Sequence, residues 1–392
     1  MIFTRNLQPQ LEKEITSDYI IVLTGMRRSG KTTLLRAVFD KIESKNKVFL
    51  DLENPLNQKF FEETNFDNIL SNLRSLGLLP EERMFLFLDE IQVMPSIVRA
   101  IKYLHDHYKI KFFVTGSASF YLKNLFPESL AGRKMVYELF PLTFNEFLIF
   151  RGREKIFHSN FDDKVKNGSD FILEQYRGIY EEYLSYGGFP QVVLESVIER
   201  KKQILGEIFT SYFEKDVRSL TDFKKIAVFR DLIALLASRV GSRLDVSKLA
   251  KELGVSRQTI YEYIYFLKET YFVFLLPSFS HNMDRVIRGA KKVYFCDNGL
   301  LGHLYQPDPG ILLENSVYNQ LKPYGELAYY TKGKKEIDFI LNKKFAFEVK
   351  VRADFRDQKN LAFLSKPLRI EKFYVISREH STTTDLILAM DL

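Results

Sequence analysis

At 392 residues, 46% hydrophobic and 27% charged, the chain is long enough for two or three buried cores and too apolar for a disordered polymer. Its single cysteine, Cys296, excludes an intrachain disulfide framework and a cysteine-rich zinc site, which suits a reducing, cytoplasmic setting. Lys and Arg number 57 against 50 Asp and Glu, and the net charge of +7 permits a polyanionic partner without requiring one. The opening MIFTRNLQPQLEKEI lacks a secretory h-region, and no segment approaches the roughly 20 apolar residues that span a bilayer, so no membrane partner is expected. From residue 281 onward there are 18 basic and 14 acidic residues, which places any nucleic-acid face late in the chain.

From Tyr19 to Thr115 short apolar runs alternate with amphipathic stretches, the pattern of βα units in a parallel sheet. The runs are Tyr19 to Thr24, Lys47 to Leu52, Met84 to Asp89 and Lys111 to Thr115, with a fifth at Lys134 to Phe140. Between the first run and a helical pattern lies GMRRSGKT, which fits GxxxxGK(S/T) without a mismatch. In such a loop the residues Gly25, Met26, Arg27, Arg28, Ser29, Gly30, Lys31, Thr32 and Thr33 surround the phosphates of a nucleotide. Glycines let backbone amides point inward, and the helix that follows turns its positive end to the anion. Lys31 reaches the β- and γ-phosphates, and the Thr32 hydroxyl ligates Mg²⁺.

The run Phe85-Leu86-Phe87-Leu88 ends in Asp89 and Glu90, at the strand ends where such sheets bind ligands. Asp89 is expected in the Mg²⁺ shell and Glu90 as the carboxylate that polarises the attacking water. The next strand runs into Thr115-Gly116-Ser117-Ala118-Ser119. Thr115 and Ser117 read either as γ-phosphate sensors or as part of a plain turn. After Gly132, Arg133 is either a solvated loop residue or a cation for the transferred phosphoryl group, acting on its own subunit or a neighbour.

Residues 151–180 are polar and read as a connector or insertion rather than core, followed by a helical region to about Arg239. LDVSKLAKELGVSRQTIYEYIYFLK, Leu244 to Lys268, has Val246, Leu249, Ala250 and Leu253 on one helical face, Gly254 for a turn and Ser256 to cap a second helix. This helix-turn-helix exposes Arg257, Gln258 and Tyr261, which either contact DNA or belong to a packing and protein-contact unit. Near the end, Lys335 to Leu341 and Lys344 to Val351 read as two strands about an Asn342-Lys343 turn. Period-two alternation puts Glu348 and Lys350 on one face, and with Asp338 opposite they complete D…ExK, the set that holds Mg²⁺ and orients water for phosphodiester attack. Glu314, on an upstream helix, adds a candidate carboxylate. The same residues also read as ordinary surface charges.

GMRRSGKTTLL, FLFLDEIQ, TGSAS and LAGRKMVYELFPLTFNEF together resemble a large prokaryotic family of AAA-type ATPases, with YLSYGGFP and YFEKDV similar to the family's linker landmarks. The resemblance implies an α/β P-loop NTPase domain with a parallel sheet over 1–150, then a helical region over 151–239. It further implies a winged-helix-like domain over 240–285 and a small α/β PD-(D/E)xK, restriction-endonuclease-like domain over 286–392. ATP and Mg²⁺ are the implied cofactors; DNA or a protein is a possible partner, and the oligomeric state is undecided. Three functions fit: an ATPase that drives domains contacting nucleic acid, an ATP-dependent switch with an inactive nuclease-like domain, and an ATP-gated nuclease.

Overall fold

The computed structural model describes residues 3–116, 132–154, 158, 160–217, 223–280 and 282–392. The chain divides into two compact units, the first running to Phe140 and taking in Glu269–Tyr271, the second formed by Pro141–Lys268 and Phe272–Leu392.

In the first unit β1 (Ile20–Thr24), β2 (Lys47–Asp51), β3 (Phe85–Asp89), β4 (Lys111–Gly116) and β5 (Lys134–Glu138) form one sheet in the order β2-β3-β4-β1-β5. Every pairing is parallel. β1, β3 and β4 are buried along their whole length, which is why they read as unbroken apolar runs rather than alternating ones. One face packs Leu34, Leu35 and Val38 of the helix Lys31–Lys41 on Phe87 and Phe113, whose rings stack with centroids 4.6 Å apart. The other face buries Ile97, Ile101 and Leu104 of the helix Ile97–Tyr108 on Leu86, Leu88 and Val114. This is the α/β architecture of P-loop NTPases.

The second unit starts with the helix Phe144–Phe150, opened by a capping box between Thr143 and Glu146. The sequence expects the first domain to end near 150, whereas the division falls at Phe140. The reason is packing: Phe144 and Phe147 of this helix lie against Tyr180 and Tyr183 of the helix Asp170–Tyr186. The polar stretch expected as a connector is also built into this unit. Phe161 lies among Tyr324, Phe345, Phe347 and Tyr374. Asp162 accepts from Lys372 Nζ and Tyr374 OH, both at 2.5 Å, and buried Lys164 pairs with Asp391 at 3.6 Å. Its charges suggest a solvated segment, but Asp162 and Lys164 have fixed partners far along the chain.

The helices Val246–Leu253 and Arg257–Glu269 flank Gly254, whose φ of 65° ends the first helix, and Ser256 Oγ accepts from Thr259 N at 3.1 Å. The antiparallel pair β6 (Val273–Leu276) and β7 (Lys292–Phe295) follows. A separate sheet comprises β8 (Leu327–Lys332), β9 (Lys335–Leu341), β10 (Phe345–Lys350), β11 (Lys372–Ser377) and β12 (Leu386–Leu388), in the order β12-β11-β10-β9-β8. β9 is antiparallel to β8 and β10, while β10, β11 and β12 run parallel. Asn342 and Lys343, both at positive φ (51° and 58°), make the tight β9–β10 turn.

Within this unit Asp297 caps the helix Asn298–Leu304 through Leu300 N (3.0 Å) and also accepts from Gly188 N at 2.6 Å. A Cβ at Gly187, whose φ is +74°, would lie 2.2 Å from the Asp297 carboxylate. The carboxylate thus fastens the Gly187-Gly188 turn to a helix more than a hundred positions later. Burial raises the Asp297 carboxyl from 3.8 to about 6, against the lowering effect of its backbone donors. The folded state therefore holds this proton at a pH where the unfolded chain has released it, and the group's contribution to stability declines as pH rises from about 4 to about 6. Asp297→Ala and Gly187→Ala should each lower stability by about 2 kcal/mol, and the double variant should lose less than the sum because the clash is gone. Urea midpoints measure this, and Asp297→Ala should also remove the acid-range slope.

Candidate functional site

The loop after β1 is shaped by residues in the left-handed region: Gly25 at φ 144°, Arg28 at 62° and Gly30 at 97°. A Cβ on Gly25 would fall 2.1 Å from the Leu139 carbonyl oxygen, so only glycine passes under the end of β5. Arg5, 5% exposed, donates to the Ser29 carbonyl at 2.9 Å and to the Phe140 carbonyl at 2.8 Å. This brace was not legible in sequence, because nothing in a short leader marks one cation as buried. Lys31, also 5% exposed, donates through Nζ to the carbonyls of Gly25 (2.8 Å) and Met26 (3.0 Å) at the mouth of the loop. The Ser29 hydroxyl is buried and lacks a hydrogen-bond partner among the described residues, which leaves polar capacity inside the cradle for a ligand.

Facing the loop, Asp89 ends β3 and is 4% exposed. Thr32 Oγ1 donates to Asp89 Oδ2 at 2.7 Å, and Thr115 Oγ1 makes a close hydrogen bond to Asp89 Oδ1. Thr115 also accepts from Glu90 N at 3.0 Å, so one hydroxyl orients both carboxylate residues. Glu90 sits at φ 55°, a left-handed conformation a non-glycine residue rarely holds, and accepts from Gln92 Nε2. Burial raises the Asp89 carboxyl above its ordinary range, opposed by the two threonine hydroxyls and aided by Glu90 and Asp51. A divalent cation beside Asp89 and Thr32 would remove that penalty, and a buried oxygen pair of this chemistry suits Mg²⁺. Loop, lysine and acid pair thus stand together as the spacing requires.

Other expected residues stand elsewhere. Thr33 is exposed on the first turn of its helix and Arg28 is exposed on the loop. Thr115 holds the acid pair, and Ser117 lies outside the described residues. Arg133 is the clearest departure. Its carbonyl accepts from Ile20 N, and Lys134 pairs with Ile20 at the start of β1, whereas the phosphate loop leaves β1 after Thr24. The length of β1, four steps of ~3.3 Å or roughly 13 Å, separates the two ends. Arg133 pairs there with Asp106 at 2.7 Å, so it does not serve the loop of its own chain.

In the second unit the D…ExK residues come together, but not as an open set. Asp338 Oδ2 accepts from Val349 N at 2.8 Å, and Lys350 Nζ donates to Glu348 Oε1 at 2.6 Å. Glu314 accepts from Tyr294 OH at 2.6 Å and lies 3.6 Å from Lys292 Nζ, which also forms a close pair with Glu336. Lys292, Tyr294 and Glu336 were not anticipated. Lys292 and Tyr294 lie on β7, 44 and 42 positions before Glu336, and no local spacing links them. Burial, reinforced by Asp338, raises Glu314 to about 7 and Glu348 to about 8. Among the described residues no group of three or more His, Cys, Asp or Glu is arranged to hold a metal; Lys350 pairs with Glu348, and Lys292 with Glu314 and Glu336. Of the candidate DNA contacts, Arg257 and Tyr261 are exposed, while Gln258 donates to Glu262 at 3.0 Å along its own helix.

Residues 17–148 match the family described as AAA domain, and residues 177–310 match a domain of unknown function, DUF8612. The chain is 30% identical over 346 residues to the uncharacterized protein MJ1544 of Methanocaldococcus jannaschii, covering 84% of this chain and 74% of that one. It is 27% identical over 357 residues to an uncharacterized protein of Haemophilus influenzae, covering 88% and 84%. Among solved structures it is similar to the Walker-type ATPase PABY2304 of Pyrococcus abyssi, at 16% identity and a TM-score of 0.48, over 77% of this chain and 96% of that chain. No helix among the described residues is long and apolar enough to cross a membrane.

Thr115→Val should leave nucleotide binding without metal intact and raise the Mg²⁺ concentration needed for tight binding by about 10- to 100-fold. Titration of a fluorescent ATP analogue at a series of Mg²⁺ concentrations reads this directly.

Proposed function

This chain belongs to the same family as the M. jannaschii protein and carries an AAA-type P-loop ATPase domain, and from that premise we propose the following activity. It binds ATP with Mg²⁺ at Lys31, Thr32 and Asp89, hydrolyses it with Glu90, and passes the change of nucleotide state to a C-terminal half that contacts nucleic acid. The observation that carries the reading is the buried Asp89 held between the hydroxyls of Thr32 and Thr115, with Glu90 fixed by the same Thr115.

Each residue has a separable task. The Lys31 ammonium exchanges the Gly25 and Met26 carbonyls for phosphate oxygens, so binding replaces two neutral acceptors by an anion. Gly25, Met26, Arg27, Arg28, Ser29 and Gly30 present backbone and the Ser29 hydroxyl to the phosphates, and Thr33 extends the helix end behind them. Mg²⁺, when bound at Thr32 and Asp89, supplies charge neutralisation for the leaving phosphates. Glu90 takes the proton of the attacking water, and the Gln92 bond to its carboxylate keeps it directed. Arg133 could act on phosphate only across a contact with a second copy of the chain.

For the C-terminal half, a winged-helix-like unit with a restriction-endonuclease-like sheet is the reading we favour, in a binding rather than cleaving role. Support comes from Lys292, a cation outside the D…ExK set, which pairs with Glu314 and Glu336. Wild-type protein should then release no detectable products from linear or supercoiled DNA with Mg²⁺ and ATP. Cleavage that disappears in Asp338→Ala would establish the gated nuclease instead.

The central test is ATP turnover with and without DNA. Glu90→Gln should keep nucleotide affinity and lose about 10²- to 10⁴-fold in turnover, while Lys31→Ala should lose binding itself. A wild-type protein that binds ATP and never turns it over would leave only the switch.

A further inference from the structure

Beside the helix-turn-helix the second unit has an open groove of about 980 Å³. One wall is the helix Arg257–Glu269, which lines it with Tyr261, Tyr265 and Lys268. These positions are i, i+4 and i+7, one face of a helix. The opposite wall is Ile287 to Lys291, and Arg243 stands at the rim, where its backbone bridges to Lys292. Buried Ile264 and half-buried Leu275 floor the groove.

The contents of this groove do not suit a structural cleft. Tyr261 is 58% exposed, Tyr265 52% and Ile287 66%, although large rings and branched chains are normally packed where a neighbour is available. Among the described residues neither tyrosine hydroxyl has a hydrogen-bond partner, and no carboxylate pairs with Arg243, Arg288 or Lys291. The one acid in the lining, Asp245, is committed elsewhere: it caps the helix Val246–Leu253 by accepting from Lys248 N at 2.9 Å. Flat aromatic faces therefore stand exposed in a groove where Arg243, Arg288 and Lys291 have no paired carboxylate among the described residues.

We propose that this groove binds single-stranded nucleic acid, with bases stacked on Tyr261 and Tyr265 and the phosphate backbone along Arg243, Arg288 and Lys291. The inference rests on the reading that the C-terminal half contacts nucleic acid, and it replaces the contact expected for this helix. A duplex keeps its base faces inside the stack and presents a convex phosphate surface. Only unstacked bases can occupy a concave site lined by rings. The edge-reading role expected of Gln258 is weakened by its bond to Glu262, which also sets a carboxylate on that side of the helix. Stacking is tolerant of base identity, so the groove recognises strandedness and charge rather than a sequence.

The test is fluorescence anisotropy with full-length protein and labelled dT20, a U20 strand and a duplex of equal length. Single strands should bind more tightly than duplex, and comparison of dT20 with U20 tells deoxyribose from ribose. Tyr261→Ala/Tyr265→Ala should weaken single-strand binding by about 5- to 150-fold per stacked base, and Tyr265→Phe should restore it, since the ring and not the hydroxyl makes the contact. Arg288→Ala/Lys291→Ala should flatten the dependence of log affinity on log salt by about 0.7 for each phosphate no longer neutralised. ATP turnover, whose machinery lies in the other unit, should be unchanged in all these variants and serves as the folding control. Unchanged dT20 affinity in the double tyrosine variant overturns the groove, as does equal competition by polyglutamate. Duplex binding lost in Arg257→Ala but indifferent to Tyr265 and Arg288 overturns the groove while sparing the nucleic-acid reading. Failure of all three probes to bind overturns both.

Discussion

A buried carboxylate that must be held in place governs the N-terminal unit. Asp89 sits at the end of a strand buried along its whole length, where an unpaired charge would be costly. The fold meets that cost from two sides, with Thr32 from the phosphate loop and Thr115 from the neighbouring strand. Because Thr115 also receives the Glu90 amide, the loop, the acid and the next carboxylate move as one piece. The order β2-β3-β4-β1-β5 allows this. It seats β4 between the strand that carries the loop and the strand that carries the acids.

The second unit solves a similar problem differently. Its carboxylates are compensated by lysines rather than hydroxyls: Glu348 by Lys350, and Glu314 and Glu336 by Lys292. Burial lowers the Lys292 ammonium while Glu314, Asp338 and Glu336 raise it, and the carboxylates prevail. An amine and an acid buried together offset each other's cost of leaving water, and removing either partner would leave the other charge uncompensated. The two units thus differ in what they leave unspent: in the first, a cradle with an unpaired Ser29 hydroxyl, and in the second, cations facing solvent beside exposed rings.

How much of this was readable in the sequence follows the range of the interaction. The phosphate loop, the acid-ended strand, the helix-turn-helix and the Asn342-Lys343 hairpin are all set by neighbours a few residues apart, so spacing and periodicity exposed them. Arg5, Lys292 and the Asp297 clamp act across long separations, and nothing local marks them. Arg133 shows the converse limit. Its neighbourhood in sequence suggested a phosphate role, but the parallel register, which no local pattern encodes, puts it at the opposite end of the strands from the loop. In the polar stretch 151–180 the packing is equally non-local, since the partners of Asp162 and Lys164 come from the last twenty-odd residues of the chain.

The β9–β10 turn has a kinetic consequence. Asn342 and Lys343 both adopt left-handed conformations, which matches the twist of the strands they join, and Asp338 meets the Val349 amide across only eleven positions. Hairpins of this kind close in about 1–10 μs, well before parallel strands that need long loops to come together. β11 and β12, which join β10 only through parallel pairing, must wait for the intervening helix. Asp338, Glu348 and Lys350 thus sit on the most local pairing of this sheet, to which β11 and β12 are tied only through long-range parallel contacts.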